Sequence, residues 1–304
     1  MYREEGIDMH SYLRAIGFSN LQKNEWKDII NQVIYDYDEK HVIERDDQTT
    51  FVEMSKYYGV DMGITVCGEI DENHRFVMEY AFPYFRGSKT TTTEDVYIEC
   101  RSEKESYLGA CEDMRLGVTL IFYLANAGAY LKQQYKQHLE RTTTSVEISG
   151  LSLDGKIILP IKKDPIQVDA QRQKQKHREE MIDSIRSEEE ASEFWEKITK
   201  EDFQEYTMLH KKMMESDILT IVDTYFIPYG MECDRYNVLG EITEVTKTIN
   251  RATKEVIYQL SILCNDMEFD VCIHEDDLLG EPQVGRRFKG VIWAQGNLQF
   301  MESI

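Results

Sequence analysis

No Cys-x-x-Cys pair, no His-x-x-x-His pair and no glycine-rich loop followed by a lysine occur in this chain. The first two absences remove the common zinc and dithiol motifs. The third removes the usual phosphate cradle at a helix start. Proline is scarce, five in 304 residues. Basic residues are the minority, 35 against 56 acidic ones, which leaves a net charge of −21. A field of that sign repels nucleic-acid backbones and anionic lipid heads. The acidic excess is spread over the whole length, so no acidic tail accounts for it.

Long hydrophobic runs are also missing. The best membrane candidate, Leu116 to Leu131, is interrupted by Gly117, Asn126 and Gly128 and falls short of the roughly 20 apolar residues of a span. It reads as a buried helix. Met1 to His10 carries charges and no apolar core, so no signal peptide is expected and the six cysteines are expected to be reduced in a cytoplasmic protein.

What is present is a globular composition, 41% apolar and rich in tyrosine and phenylalanine. Ser19 to Ile34 opens on a capping-box-like Ser19-x-x-Gln22 and spaces Leu21, Trp26, Ile29, Ile30 and Val33 as one helical face. Phe51 to Lys56, Met62 to Ile70, Phe76 to Tyr84 and Asp95 to Arg101 read as strands. Cys111 to Tyr135 is apolar all round at its centre and predicts one long buried helix. Asp154-Gly155 between Ser145 to Ser149 and Lys156 to Ile161 predicts a hairpin. Residues 171–180 hold no apolar side chain and read as a solvated connector. Beyond Ser216, short strands recur at Ile218 to Ile227, Val238 to Ile249, Val256 to Leu263, Phe269 to His274 and Gly290 to Gln295. Asn250 to Thr253 forms a hairpin loop between two of them and Glu275 to Leu279 a short helical turn. The expected class is α+β: an N-terminal domain at 1–164, mainly antiparallel sheet with packed helices, a helical connector at 165–216, and a small β-barrel at 217–304.

Chemistry-bearing groups are few. Cys67, beside Gly68 near a strand end, faces His74 across a proposed turn and is the sharpest nucleophile–base candidate, although a cysteine in an apolar strand reads first as inert core. His274-Glu275-Asp276-Asp277 concentrates potential metal ligands, and a turn could bring two of its oxygens together for Mg²⁺ or Ca²⁺, although the group reads first as a solvated turn or N-cap cluster. Gly285-Arg286-Arg287 with Phe288 and Trp293 offers charge and rings for a single strand, inside a region that is itself acidic. Thr90 to Thr93 reads as a mobile loop, with hydroxyls for a ligand or for phosphate acceptance as the alternative, and Asp46-Asp47 and Glu112-Asp113 as solvated loop and helix-start charges. No catalytic residue, cofactor or metal set is assigned.

Three phrases carry a resemblance: the run Gly285 to Trp293, the run Tyr225 to Gly230, and the opening Met9 to Phe18. They resemble an uncharacterised bacterial family, a domain of unknown function of anaerobic Gram-positive gut bacteria. That resemblance implies no site. The terminal strands are also similar to an OB-type barrel, an analogy of fold alone. The function expected is a non-catalytic interaction or ligand-binding protein whose partner is a protein or a small molecule. The alternatives are an enzyme with an interdomain site and single-strand binding by the terminal barrel.

Overall fold

The computed structural model describes residues 10–45, 49–101, 106–113, 115, 118–136, 143–160 and 222–300. It is mostly β-sheet with few helices. A 3-10 turn, Ser11–Ile16, precedes helix α1 (Lys23–Tyr35). The capping box of α1 is formed by Gln22 and Glu25, not by Ser19, whose amide and hydroxyl instead bind the Glu255 carboxylate at 3.0 and 2.7 Å. Trp26, Ile30 and Val33 are buried, as their helical spacing requires.

Four antiparallel strands make the smaller sheet, in the order β1 (Glu39–Glu44), β2 (Thr50–Tyr57), β3 (Met62–Ile70) and β4 (Phe76–Phe85). The larger sheet opens with β5 (Val96–Arg101), β6 (Ser106–Asp113) and β7 (Val118–Leu124), a meander in which Leu108 pairs with Tyr123. The long helix expected at Cys111 to Tyr135 is therefore the end of one strand, a second strand and a short helix, α2 (Ala127–Lys136). A run that is apolar on all sides suits a doubly covered strand as well as a buried helix, and the β-branched and aromatic content of Val118 to Leu124 decides for the strand. Glu112 and Asp113 consequently end a strand.

The Asp154-Gly155 turn is absent too. Thr143–Ile158 runs as one strand, β8. Gly155 is needed there for close packing, since a Cβ would stand 2.6 Å from Phe288 and 2.8 Å from Ile273. The later strands are β9 (Tyr225–Pro228), β10 (Arg235–Ile249), β11 (Val256–Cys264), β12 (Met267–His274), β13 (Leu278–Leu279) and β14 (Arg287–Phe300). The connection from β10 to β11 is the Asn250 to Thr253 hairpin, held by the buried Asn250: its Oδ1 accepts from Ala252 and Thr253, and its Nδ2 donates to Ile16.

Five of these strands pair in a circuit. β10 pairs with β11 and β11 with β12, both antiparallel. β12 runs parallel to β8, β8 antiparallel to β14, and β14 antiparallel to β10. Val238, Ile242, Leu260, Ile262, Phe269, Ile273, Phe288 and Ile292 are all fully buried on these strands. Segments expected in separate terminal domains thus supply strands to one sheet, and the described residues up to Leu159 and from Thr224 onward belong to one compact unit. The expected connector at 165–216 lies outside the described residues, apart from which Asp46 and Asp47 do so as well. Among the described residues no helix is long and apolar enough to cross a membrane.

The sheets are joined at the edge of β4. The fully buried Gln295 donates its Nε2 to the Pro83 carbonyl at 2.8 Å and accepts the Phe85 amide on Oε1 at 3.0 Å. One residue further along β14, Gly296 lies against Phe122, whose ring is also met by Gly109; a Cβ at either glycine would stand 2.3 Å from that ring. Gly296→Ala is expected to lower unfolding stability by about 1–3 kcal/mol through overpacking. In chemical denaturation, combining it with Phe122→Leu should recover part of the loss, and an additive double variant would refute this packing.

Candidate functional site

The described residues line an aromatic-walled cavity of about 360 Å³. Its wall is drawn from distant parts of the chain: His10 and Tyr12 at the first turn, Tyr80 and Phe82 on β4, Tyr123 on β7 and Trp293 on β14. Glu232, Asp234 and Arg235 come from the connection into β10. Strand alternation places Tyr80 and Phe82 on one face of β4, and puts Trp293 on the opposite side of β14 from the buried Ile292.

Trp293 is the centre of the wall. His10 stacks on it at 4.5 Å between ring centroids, and Tyr12 and Tyr123 lean on it at 5.3 and 5.1 Å. Phe82 meets Tyr123 edge-on at 4.7 Å. The indole N–H donates to Asp234 Oδ2 at 3.0 Å, fixing the plane of the tryptophan. Arg235 lies over the face of Tyr12 at 5.6 Å and pairs with Glu232 at 3.3 Å. Burial pushes the Tyr12 hydroxyl up, an effect that Arg235 partly offsets, and pushes Tyr80 and Tyr123 well above the ordinary tyrosine range.

Behind the Tyr80 wall, four side chains share a row across the smaller sheet. His41 is paired with Glu53, Glu53 with Cys67 and Cys67 with Tyr80, so successive strands place them side by side on one face. Glu53 is 4% exposed and accepts the Gly128 amide at the start of α2 at 3.0 Å. Burial raises its carboxyl to about 7. Burial also drives the Cys67 thiol well up, with Glu53 adding to the rise and a hydrogen bond with Tyr80 opposing it. Such a thiol is a core residue rather than a nucleophile.

The structure does not bring Cys67 and His74 together. Their strands are already closed by the Ile70–Phe76 pair, and His74 sits beyond it in the turn with φ +56°. Along the strand this is a separation on the order of 10 Å from Cys67. The His274 to Asp277 group is dispersed among other partners. His274 Nδ1 accepts the Asp276 amide, Glu275 binds Lys247 at 2.6 Å and Asp277 binds Arg14 at 2.6 Å. No group of three metal-ligating side chains converges among the described residues.

Arg286 and Arg287 donate to the backbone carbonyls of Glu281 and Leu159, while Phe288 packs against Gly155 inside the five-strand circuit and Trp293 faces the cavity. Of the threonine run, Thr90 and Thr93 are exposed. Thr91 and Thr92 are buried; Thr91 Oγ1 donates to Glu268 and accepts from Ile148, and Thr92 bridges to Val146. Asp113 is clamped by Arg115, which holds its carboxyl below the usual range.

A family model described as a domain of unknown function named for an E. rectale gene, DUF3881, matches residues 13–296. The chain belongs to this family. The matched span takes in the rings at Tyr80, Phe82, Tyr123 and Trp293 and the whole His41 to Tyr80 row. No curated protein and no solved structure matches the chain.

Motif reading does not find the cavity, because its residues run from His10 at one end of the chain to Trp293 at the other. A signal for the row does exist: Glu53 interrupts the otherwise apolar centre of β2, where a charged residue needs a partner. Since its folded-state pKa is raised, Glu53 contributes stability that is fully present below the unfolded value of 4.5 and is lost as pH rises through about 7. The shift corresponds to about 3 kcal/mol. Denaturation of the wild type and of Glu53→Gln between pH 4 and pH 8.5 is expected to show the wild type falling behind by about that amount; parallel profiles would refute a buried neutral acid.

Proposed function

We propose that this is a non-catalytic ligand-binding protein whose ligand, a small molecule, occupies the cavity around Trp293. The observation that carries this reading is the convergence of six rings from four separate segments onto one cavity, with the central indole pinned by a buried carboxylate. A pre-formed concave site of predominantly aromatic wall with a few fixed polar groups is the usual form of a small-molecule pocket, and 360 Å³ falls within its usual size. The thiols support a binding role over catalysis. Burial raises Cys67 well above the ordinary thiol range, Cys111 to about 11, Cys264 to about 12, and Cys272 further still. None of these four is activated as a nucleophile.

The reading includes a finer view of the fold. The five-strand circuit is a small closed barrel of OB type in permuted order: β10, β11 and β12 form the opening meander, the 3-10 turn at Glu275–Asp277 follows, β14 comes next, and β8, earlier in the chain, takes the place of the last strand. In such barrels the face of the second and third strands takes nucleic acid. Here the chain itself covers much of that face: Cys272 Sγ donates to the Ala15 carbonyl, Asp270 accepts from Ser88 and Ser261, and Gln259 donates to the Val60 carbonyl. This weighs against single-strand binding.

The test is a ligand screen on the full chain, by thermal shift and ligand-observed NMR, with a library of small amines and aromatic compounds. Saturable binders are expected whose affinity falls at least tenfold in Tyr12→Ala and stays within about twofold in Tyr12→Phe, both variants being checked for cooperative melting. Binders indifferent to Tyr12→Ala, or a measured turnover, would overturn the reading.

A further inference from the structure

We infer that the ligand of this cavity is a small organic cation, an alkylated amine; this rests on the ligand-binding reading above and gives the ligand its chemical class. The charge balance of the lining is the first argument. Glu232 and Arg235 offset one another at 3.3 Å, and the guanidinium is further engaged over the Tyr12 ring. His10 Nδ1 accepts the Tyr12 amide at 3.3 Å. One carboxylate is left over, Asp234.

Asp234 is 5% exposed. Among the described residues its side chain receives one hydrogen bond, from the Trp293 indole to Oδ2, and Oδ1 takes none. A carboxylate largely removed from water and met only by a neutral donor is costly, and a cation in the adjoining space relieves that cost. The second argument is the wall itself. The rings of Trp293, Tyr12, Tyr80, Phe82 and Tyr123 border the same space, and aromatic faces carry a negative quadrupole that attracts cations. The third is shape. His10 already stacks on Trp293 at 4.5 Å with the planes 27° apart, so a flat ligand cannot take that face without displacing it, whereas a rounded ammonium needs only surrounding rings. The field of a chain of net charge −21 draws cations toward such a site and repels anions.

The experiment compares two probes of the same shape. Choline and its neutral isostere 3,3-dimethylbutan-1-ol are titrated into the full chain by calorimetry and by tryptophan fluorescence, on wild type and on Asp234→Asn. Asparagine keeps an oxygen acceptor for the indole, so the wall is retained, and cooperative melting confirms it. Choline is expected to bind at least tenfold tighter than the alcohol, and Asp234→Asn to lower choline affinity at least tenfold while leaving the alcohol unchanged. Equal binding of the two probes, or choline binding indifferent to Asp234→Asn, overturns the inference. If choline fails while neutral aromatic compounds from the earlier screen bind in a Tyr12-dependent way, the cationic class falls and the ligand-binding reading stands. If no compound of either kind binds, both fall.

Discussion

A side-chain amide does the structural task of a peptide group at the centre of this protein. β4 ends the smaller sheet, and its edge backbone groups at Pro83 and Phe85 need partners once they are buried. Gln295 supplies both a donor and an acceptor from β14, and Ser149 adds a bond to the Phe85 carbonyl. A glutamine amide has the same donor and acceptor pair as the backbone, so it closes the seam without needing another strand. Because side chains alternate, fixing Gln295 also fixes its neighbours. Trp293 is held toward the cavity, Ile292 and Ala294 are buried, and Gly296 lies against Phe122. A one-residue slip of β14 would exchange all of these. The position of the cavity is thus a consequence of the seam.

The buried acids show how differently one residue class is accommodated. Asp113 is kept charged by the Arg115 guanidinium. Asp270 is held by the amide and hydroxyl of Ser88 and the hydroxyl of Ser261. Glu53, with a backbone donor from Gly128, is pushed toward the neutral form by burial. Asp234 stands apart from these three because it borders an open cavity and receives a single indole N–H among the described residues. The first three are resolved within the protein. The fourth leaves a charge facing space, which is the physical basis for assigning a cation there.

What was legible in the sequence was the local pattern. The apolar spacing of Trp26, Ile30 and Val33 marked α1, and the β-rich runs through β2, β3 and β4 marked the smaller sheet. The Asn250 hairpin and the turn at Glu275 were visible because their residues carry the turn chemistry themselves. The failures are equally specific. Val118 to Leu124 lacks a clear polar alternation, and without it the period that separates strand from helix is lost. Asp154-Gly155 has hairpin chemistry but serves a long strand, since the close approach of Phe288 demands a residue without a Cβ. Thr91 and Thr92 read as part of a mobile loop by composition, yet Thr91 satisfies buried backbone groups of two other strands and Thr92 bridges to one of them. In each case a long-range contact overrode the local signal. The cavity and the Glu53 row belong entirely to that long-range part.

The circuit of β8, β10, β11, β12 and β14 is where topology and function meet. Taking its closing strand from earlier in the chain joins the circuit to β5, β6 and β7 through β14, and to the smaller sheet through Gln295. The same arrangement brings the first turn across β12, where Cys272 meets Ala15, and against the β10–β11 loop, where Asn250 meets Ile16. The outer face of β11 and β12 is therefore taken up by internal packing. Concavity moves elsewhere, to the place where the first turn, β4, β7 and β14 leave a gap that their rings line but do not fill. A gap of that size between rings, bordered by a carboxylate with one oxygen that takes no hydrogen bond among the described residues, has room for a compact ligand rather than an extended one, which is the geometry the proposed cation site rests on.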